Sequence, residues 1–447
     1  MKQYDAIVIG GGILGCMVAR NLRRFQISTL LLEKEGDVCT GITRANSAIC
    51  YAGYDNKPGS LKAELTVRGN ANMEALCAEL DVPFSRCGSL LVTYDEKSIS
   101  KLERKLKNGI KNGVPDLRLL TGIEAEEMEP MLAKGVAAAL YAPSTGTVNP
   151  WQLGIAAFEN ALQNGAQAKF NAEVTALECT EDGFRVKTAE EVYCAKMVIN
   201  CAGLFADKVH ELVFPPDVRL MLDSAEYLVL DKNAKKPSRI IFHQAESCGK
   251  GITAIPSTEG NLLISGVRKP LYKPFATTAE GLRELHMATA ELLPETELGM
   301  VIRSFGAVRP NPYKETGESL HDFCIQNPLP GFYSLIGIKT PGLTASGELG
   351  LYLAKQAADY LGAKVNTAFS PRRQAIRKKE EPDYYEIVCQ CENITRGEIL
   401  EAIRRGATTV DGVKRRVGTG MGRCQGSRCI GEIAKLLRET GANPHPL

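Results

Sequence analysis

No stretch of the 447 residues reaches the ~20 apolar residues that a membrane span requires, so no membrane-spanning helix is expected. An excess of one charge is also lacking. The 54 Lys and Arg stand against 52 Asp and Glu, and a net charge of +2 provides no field to hold nucleic acid or an anionic membrane surface. The first residues contain no basic segment leading into an apolar signal core, so a cytoplasmic location is expected, with any membrane association peripheral and through a partner. Internal repeats and long low-complexity tracts are absent too. Histidine is scarce: there are five, at positions 210, 243, 286, 321 and 445.

The composition that remains is globular, with 44% hydrophobic and 24% charged residues, and the length suits two to four domains. Glycine is frequent, 42 residues or ~9% against a usual ~7%, and clusters at turns between apolar runs. Such turns bring backbone close to ligands.

Residues 4–9 (YDAIVI) form an apolar run suited to a central parallel strand and lead into GGGILG at 10–15. Gly10, Gly12 and Gly15 satisfy G-x-G-x-x-G. The first permits a tight turn, the second a close approach to a pyrophosphate, and the third the packing of the next helix on the strand. A second strand, 28–32, ends at Glu33, placed to accept the hydroxyl hydrogens of an adenosine ribose. Strand, glycines, helix, strand and acid in this order predict a dinucleotide site. NAD and FAD share the fingerprint, and three later features favour FAD. Residues 198–207 (VINCAGLFAD) carry Ala202 and Gly203 after a buried-type strand. Residues 331–350 carry a strand, then Gly337, Gly342, Leu343 and Thr344 at a second helix start able to face an anionic ring edge. The nucleotide fold closes only near residue 365, so other material is inserted within it.

The segments 46–69, including Asn46, Ser47 and KPGSLKA at 57–63, together with VINCAGLFAD and GIKTPGLTAS, resemble FAD oxidoreductases of the D-amino-acid oxidase-like superfamily. The resemblance is greatest to anaerobic glycerol-3-phosphate dehydrogenase flavin subunits and L-2-hydroxyglutarate oxidases. It covers nearly the whole chain. It implies an α/β fold in which a Rossmann-like FAD-binding domain contains an inserted antiparallel-sheet substrate domain. The expected boundaries are 1–370 for the flavin unit, with substrate-domain segments near 72–145 and 216–312. Asn46, Ser47, Ala202, Gly203, Gly337, Gly342, Leu343 and Thr344 would contact the cofactor. Arg309 and Lys339 fall where glycerol-3-phosphate dehydrogenases hold the substrate phosphate. Arg303 or Arg268 could serve instead. The chain departs from these relatives at two positions, where Tyr51 and Glu259 replace histidines, so Tyr51, Glu259 or the strand-borne His243 is the expected proton acceptor.

Ten of the 14 cysteines are scattered, and four crowd into the last sixty residues. After a charged, proline-bounded crossing at 371–386, Cys389 and Cys391 form C-x-C, and Cys424 and Cys429 form C-x₄-C. Four thiolates on two loops suit an iron–sulfur cluster or a tetrahedral zinc. Between them, residues 395–405 read as an amphipathic helix capped by Thr395, with Glu398 completing a capping box. This arrangement resembles the [2Fe–2S] domain of bacterioferritin-associated ferredoxin, here expected over 387–447. Arg415, Arg416, Arg423 and Arg428 surround the second pair, either moderating thiolate charge or forming a basic face. The combined expectation is an FAD enzyme that oxidises a small anionic alcohol, such as glycerol 3-phosphate or a 2-hydroxy acid. It would pass electrons through a [2Fe–2S] cluster to a partner subunit. A non-catalytic electron-transfer subunit is the rival.

Overall fold

The computed structural model describes residues 2–244, 251–270 and 273–442, with backbone alone at 267–269. Its first sheet is built on β1 (Lys2–Ile9), whose buried inner residues lie between parallel neighbours: β2 (Thr29–Leu32) on one side and Val192–Asn200 on the other. Between β1 and β2 runs helix α1 (Ile13–Leu22), and Phe332–Ile336 extends the sheet in parallel beyond Val192–Asn200. The strands are continuous apolar runs because both faces are covered, one by helices and the other by Ala172, Leu177, Phe184, Val186 and Val209. Helix α1 packs on the helices Pro150–Gln163 and Gly342–Leu361 through a core that includes Met17, Val18, Leu153, Ala157, Leu353 and Ala354.

The second sheet has eight strands in the order Val301–Lys314, Val218–Leu230, Leu262–Pro270, Thr253–Pro256, Ile240–His243, Ser89–Thr93, Ala138–Ala142, Arg118–Thr121. Every pairing is antiparallel except that of Ile240–His243 with Ser89–Thr93. Its strands come from two separate stretches of chain, both lying between β2 and Phe332–Ile336.

The C-terminal unit has a two-stranded ribbon (Ile387–Cys389, Ile394–Thr395) and helices Arg396–Arg404, Val410–Val417 and Ile430–Glu439. The capping box is present: the Thr395 hydroxyl accepts from the Glu398 N–H, and the Glu398 carboxylate accepts from the Thr395 N–H. Ile399, Ala402, Val413, Ile433, Leu436 and Leu437 form a small core together with Cys389 and Cys429. The crossing at 371–386 does not hang free. Arg373 pairs with Glu159 at 2.8 Å, and Arg377 with Asp81 at 2.8 Å.

Candidate active site and cluster site

A single cavity of about 1100 Å³ runs from the end of β1 to the second sheet. It exceeds the ~300–1,000 Å³ of ordinary small-molecule pockets, leaving room for a dinucleotide and a smaller second ligand. At one end, Gly10 turns the chain with φ +100°, and an added Cβ would meet the Cys201 carbonyl oxygen at 2.6 Å. A Cβ on Gly15 would lie 1.9 Å from the Gly10 oxygen, so α1 reaches the strand only because that position is glycine. Gly12 is different. It begins α1 with no side chain capping the helix, and a Cβ there would meet nothing nearer than Thr43 Oγ1 at 3.5 Å. Open helix N–H groups beside free space are a cradle for phosphate. Glu33 is buried, accepting from the N–H of Gly11 at 2.5 Å and of Glu35 at 2.9 Å. Burial raises its pKa, while those two N–H groups oppose the shift.

Asn46, Ser47, Ala202, Gly203, Gly342 and Leu343 also line the cavity, the last two at the start of the Gly342–Leu361 helix. Two further expected cofactor contacts are turned elsewhere. Thr344 Oγ1 accepts from the Tyr51 N–H at 2.9 Å, which fastens the strand Ile49–Cys50 to this helix. Gly337 has φ +69°, and a Cβ there would meet the Pro312 ring at 2.7 Å. Its part is to make the turn after Phe332–Ile336.

At the far end, Tyr51, His243, Arg309 and Lys339 all face the cavity. Tyr51 stacks on Phe242 with centroids 6.0 Å apart, and the His243 ring meets Tyr94 edge-on at 5.9 Å. Lys339 Nζ donates to Asn311 Oδ1 at 3.3 Å, and Asn311 in turn donates to Asp223 at 2.8 Å. Glu259 corrects the expectation. It sits in the turn between Thr253–Pro256 and Leu262–Pro270, away from the cavity wall, and accepts from Asn149 at 2.8 Å and Thr258 at 2.9 Å. Its carboxylate holds the hairpin to the start of the Pro150–Gln163 helix. Arg303 lies on the same strand as Arg309, and the side chain of Arg268 lies outside the described residues, as does His445.

Lys62 is the residue that sequence reasoning missed. It lines the cavity, its ammonium lies 6.0 Å from the Phe323 ring centroid, and its backbone N–H donates to Asp322 at 2.8 Å. Burial, then the charges of Arg309 and Lys339, push it down to about 8. The signal was available, because Lys62 is the second lysine of KPGSLKA, a segment noted for its resemblance alone.

The four C-terminal cysteines come together as two neighbouring pairs. Cys424 is within hydrogen-bonding reach of Cys391, and Cys429 of Cys389. The Gly426 and Arg428 backbone N–H groups, with Cys391, draw Cys424 down to about 7, whereas burial and Cys389 push Cys429 up to about 11. Among the described residues no three metal-ligating side chains close on one point as a single ion would require. Two adjoining thiol pairs fit a dinuclear cluster, in which each iron would take two of the four thiolates. Of the four flanking arginines only Arg428 stays at the cysteine loops, donating to Gln390 between Cys389 and Cys391 at 3.4 Å. Arg415 and Arg416 are buried against Asp37 in the loop after β2, and Arg423 reaches Asp231 at 3.7 Å. Lys232 pairs with Glu392 at 2.5 Å, so both cysteine loops abut the second sheet.

Residues 5–356 match the FAD dependent oxidoreductase family. The chain belongs to that family. Residues 387–439 match the BFD-like [2Fe–2S] binding domain, so this flavoprotein carries both FAD and a [2Fe–2S] cluster. It is 37% identical to a glycerol 3-phosphate dehydrogenase of Caloramator mitchellensis, over 98% of this chain and 95% of the relative. It is 32% identical to the mitochondrial L-2-hydroxyglutarate dehydrogenase of Homo sapiens, over 51% of this chain and 52% of that one. In fold it is similar to the FAD-bound L-alpha-glycerophosphate oxidase of Mycoplasma pneumoniae, with a TM-score of 0.76 and 24% identity over 83% of this chain and 99% of that one. No described helix of the flavoprotein is long and apolar enough to cross a membrane.

Proposed function

We propose that this flavoprotein oxidises sn-glycerol 3-phosphate to dihydroxyacetone phosphate and passes the electrons through its [2Fe–2S] cluster to an external acceptor. The observation that carries the substrate assignment is the set of three cations, Lys62, Arg309 and Lys339, on the cavity wall that Tyr51 and His243 share. Three positive groups at one end of the cavity favour a dianion, with the guanidinium giving directed hydrogen bonds and the ammonium groups point charge. The full-length similarity to a glycerol 3-phosphate dehydrogenase supports the same substrate.

Gly12 and the open start of α1 would hold the FAD diphosphate, Glu33 the ribose, and Gly342 and Leu343 the ring system. Bound FAD supplies the two-electron acceptor for the carbinol hydrogen. The chain supplies the rest. Lys62, Arg309 and Lys339 fix the phosphate and so orient the alcohol carbon, which converts an encounter into a positioned reaction. His243 takes the hydroxyl proton on a ring nitrogen, and Tyr51 on the same wall hydrogen-bonds the substrate. The Lys339–Asn311–Asp223 chain keeps one ammonium aimed at the anion.

A second reading, L-2-hydroxyglutarate as substrate, has the 32% identity over half the chain in its favour, and a distal carboxylate could use the same cations. An anaerobic substrate panel followed by loss of flavin absorbance decides between them. Rapid bleaching by glycerol 3-phosphate supports the proposal. Bleaching by L-2-hydroxyglutarate alone replaces it, and a chain that holds FAD yet is bleached by no hydroxy acid is an electron-transfer subunit.

A further inference from the structure

The dinucleotide end of the cavity has walls from opposite ends of the chain. One wall follows β2 and includes Glu33, Asp37 and Arg44; the other is Thr409 and Asp411, from the cluster-binding domain. Arg416 donates to both Asp37 oxygens, at 2.7 and 2.9 Å, and Arg415 donates to Asp37 at 2.9 Å and to the Val38 carbonyl. All three side chains are at least 97% buried. Asp411 then links Arg415, at 3.0 Å, to Arg44, at 4.0 Å, and the Arg44 guanidinium also lies over the Phe275 ring at 5.5 Å.

Asp37 without the two guanidiniums would be a carboxylate in the wall of a site for a polyanion, and it would repel the FAD diphosphate. Docking of the Val410–Val417 helix cancels that charge, because Arg415 and Arg416 together outweigh Asp411 on the same helix by the one positive charge that Asp37 needs. Arg44 would otherwise be a long side chain free to swing into solvent; Asp411 and Phe275 hold it against the cavity. We infer that the cluster-binding domain forms the second half of the dinucleotide site, so that FAD is retained only while this domain is docked, and FAD in turn holds the domain in place. The reciprocity is required by linkage, since two events that favour one another must do so equally in both directions. Lys414 on the same helix is pushed down to about 8, by burial first and then by the charge of Arg303, with Asp411 opposing.

The test uses the full chain with FAD and cluster bound. Release of FAD after dilution is followed by its fluorescence in wild type, Arg416→Gln and Asp411→Asn, with the cluster absorbance recorded alongside. The expected result is release faster by at least about tenfold in Arg416→Gln and by a smaller factor in Asp411→Asn, with the cluster retained. Wild-type release rates in both variants would overturn the inference. A second measurement needs no variant. Wild type depleted of FAD should be cut by trypsin within 371–386 faster than the same sample after FAD is restored. Equal cutting rates with and without FAD would also overturn it. Neither readout involves substrate, so failure here leaves the substrate assignment standing.

Discussion

Asp37 and Arg416, separated by 379 positions in sequence, meet through two hydrogen bonds beneath the docked cluster-binding domain. A buried pair of this kind is costly to break, because removing one partner strands the other's charge; losses of ~3–5 kcal/mol are usual. The domain is therefore built into the flavin unit.

The anion site should be visible in its pH dependence. Lys62 is held at about 8, against an ordinary 10.5, so in the free enzyme it loses its charge as pH rises through 8. KM for glycerol 3-phosphate should rise above pH 8 in wild type, and this rise should be absent in Lys62→Met. At pH 7 that variant should show a KM higher by roughly 10–100-fold with kcat little changed, the pattern of lost ground-state binding.

The same shift makes a prediction about stability, of opposite sense. Between pH 8 and 10.5 the unfolded chain keeps a proton on Lys62 that the folded chain has released, so stability of the ligand-free protein increases with pH across that window. Lys414, also near 8, contributes in the same direction. Lys62→Met should raise Tm at pH 7 and flatten part of the rise, as measured by thermal unfolding at a series of pH values.

Two glycines of the G-x-G-x-x-G turn should fail in different ways when replaced by alanine. Gly15→Ala forces a methyl group against the Gly10 carbonyl and should both lower Tm and abolish FAD binding. Gly12→Ala meets open space, and its backbone, φ −72° and ψ 178°, suits any residue. That protein should fold with Tm within a few degrees of the wild-type apoprotein and yet bind FAD weakly, as its visible spectrum would show.

Cys391 is the exposed cysteine of the four. Cys391→Ser should lower the iron content and slow reoxidation by one-electron acceptors, while glycerol 3-phosphate still bleaches the flavin. Bleaching itself should depend on His243. His243→Asn should slow single-turnover reduction by about 10²–10⁴-fold, and Tyr51→Phe by less.

Much of the nucleotide site could be read directly from the chain, because its chemistry is local. A tight turn, an open helix start and an acid at the end of the next strand lie within 33 residues, and each is specified by its own neighbours. The Thr395–Glu398 capping box was legible for the same reason. Glu259 misled because position in a motif does not specify direction: its hairpin turn points the carboxylate at Asn149. Lys62 was overlooked because it enters the cavity only when its helix packs on the Gly342–Leu361 helix with its first turn held by Asp322, both remote in sequence.

The order of strand and helix, glycine placement and cysteine spacing follow from steric and bonding preferences over a few residues; these marked a dinucleotide site and a four-thiol site, and the family resemblance implied that they belong to a flavin fold and a cluster domain. Which cations share a wall, and that Arg415 and Arg416 face Asp37 and leave the thiols alone, depended on long-range packing. Coulomb attraction and burial act between whatever groups the fold brings together, and adjacency in the chain carries no record of that.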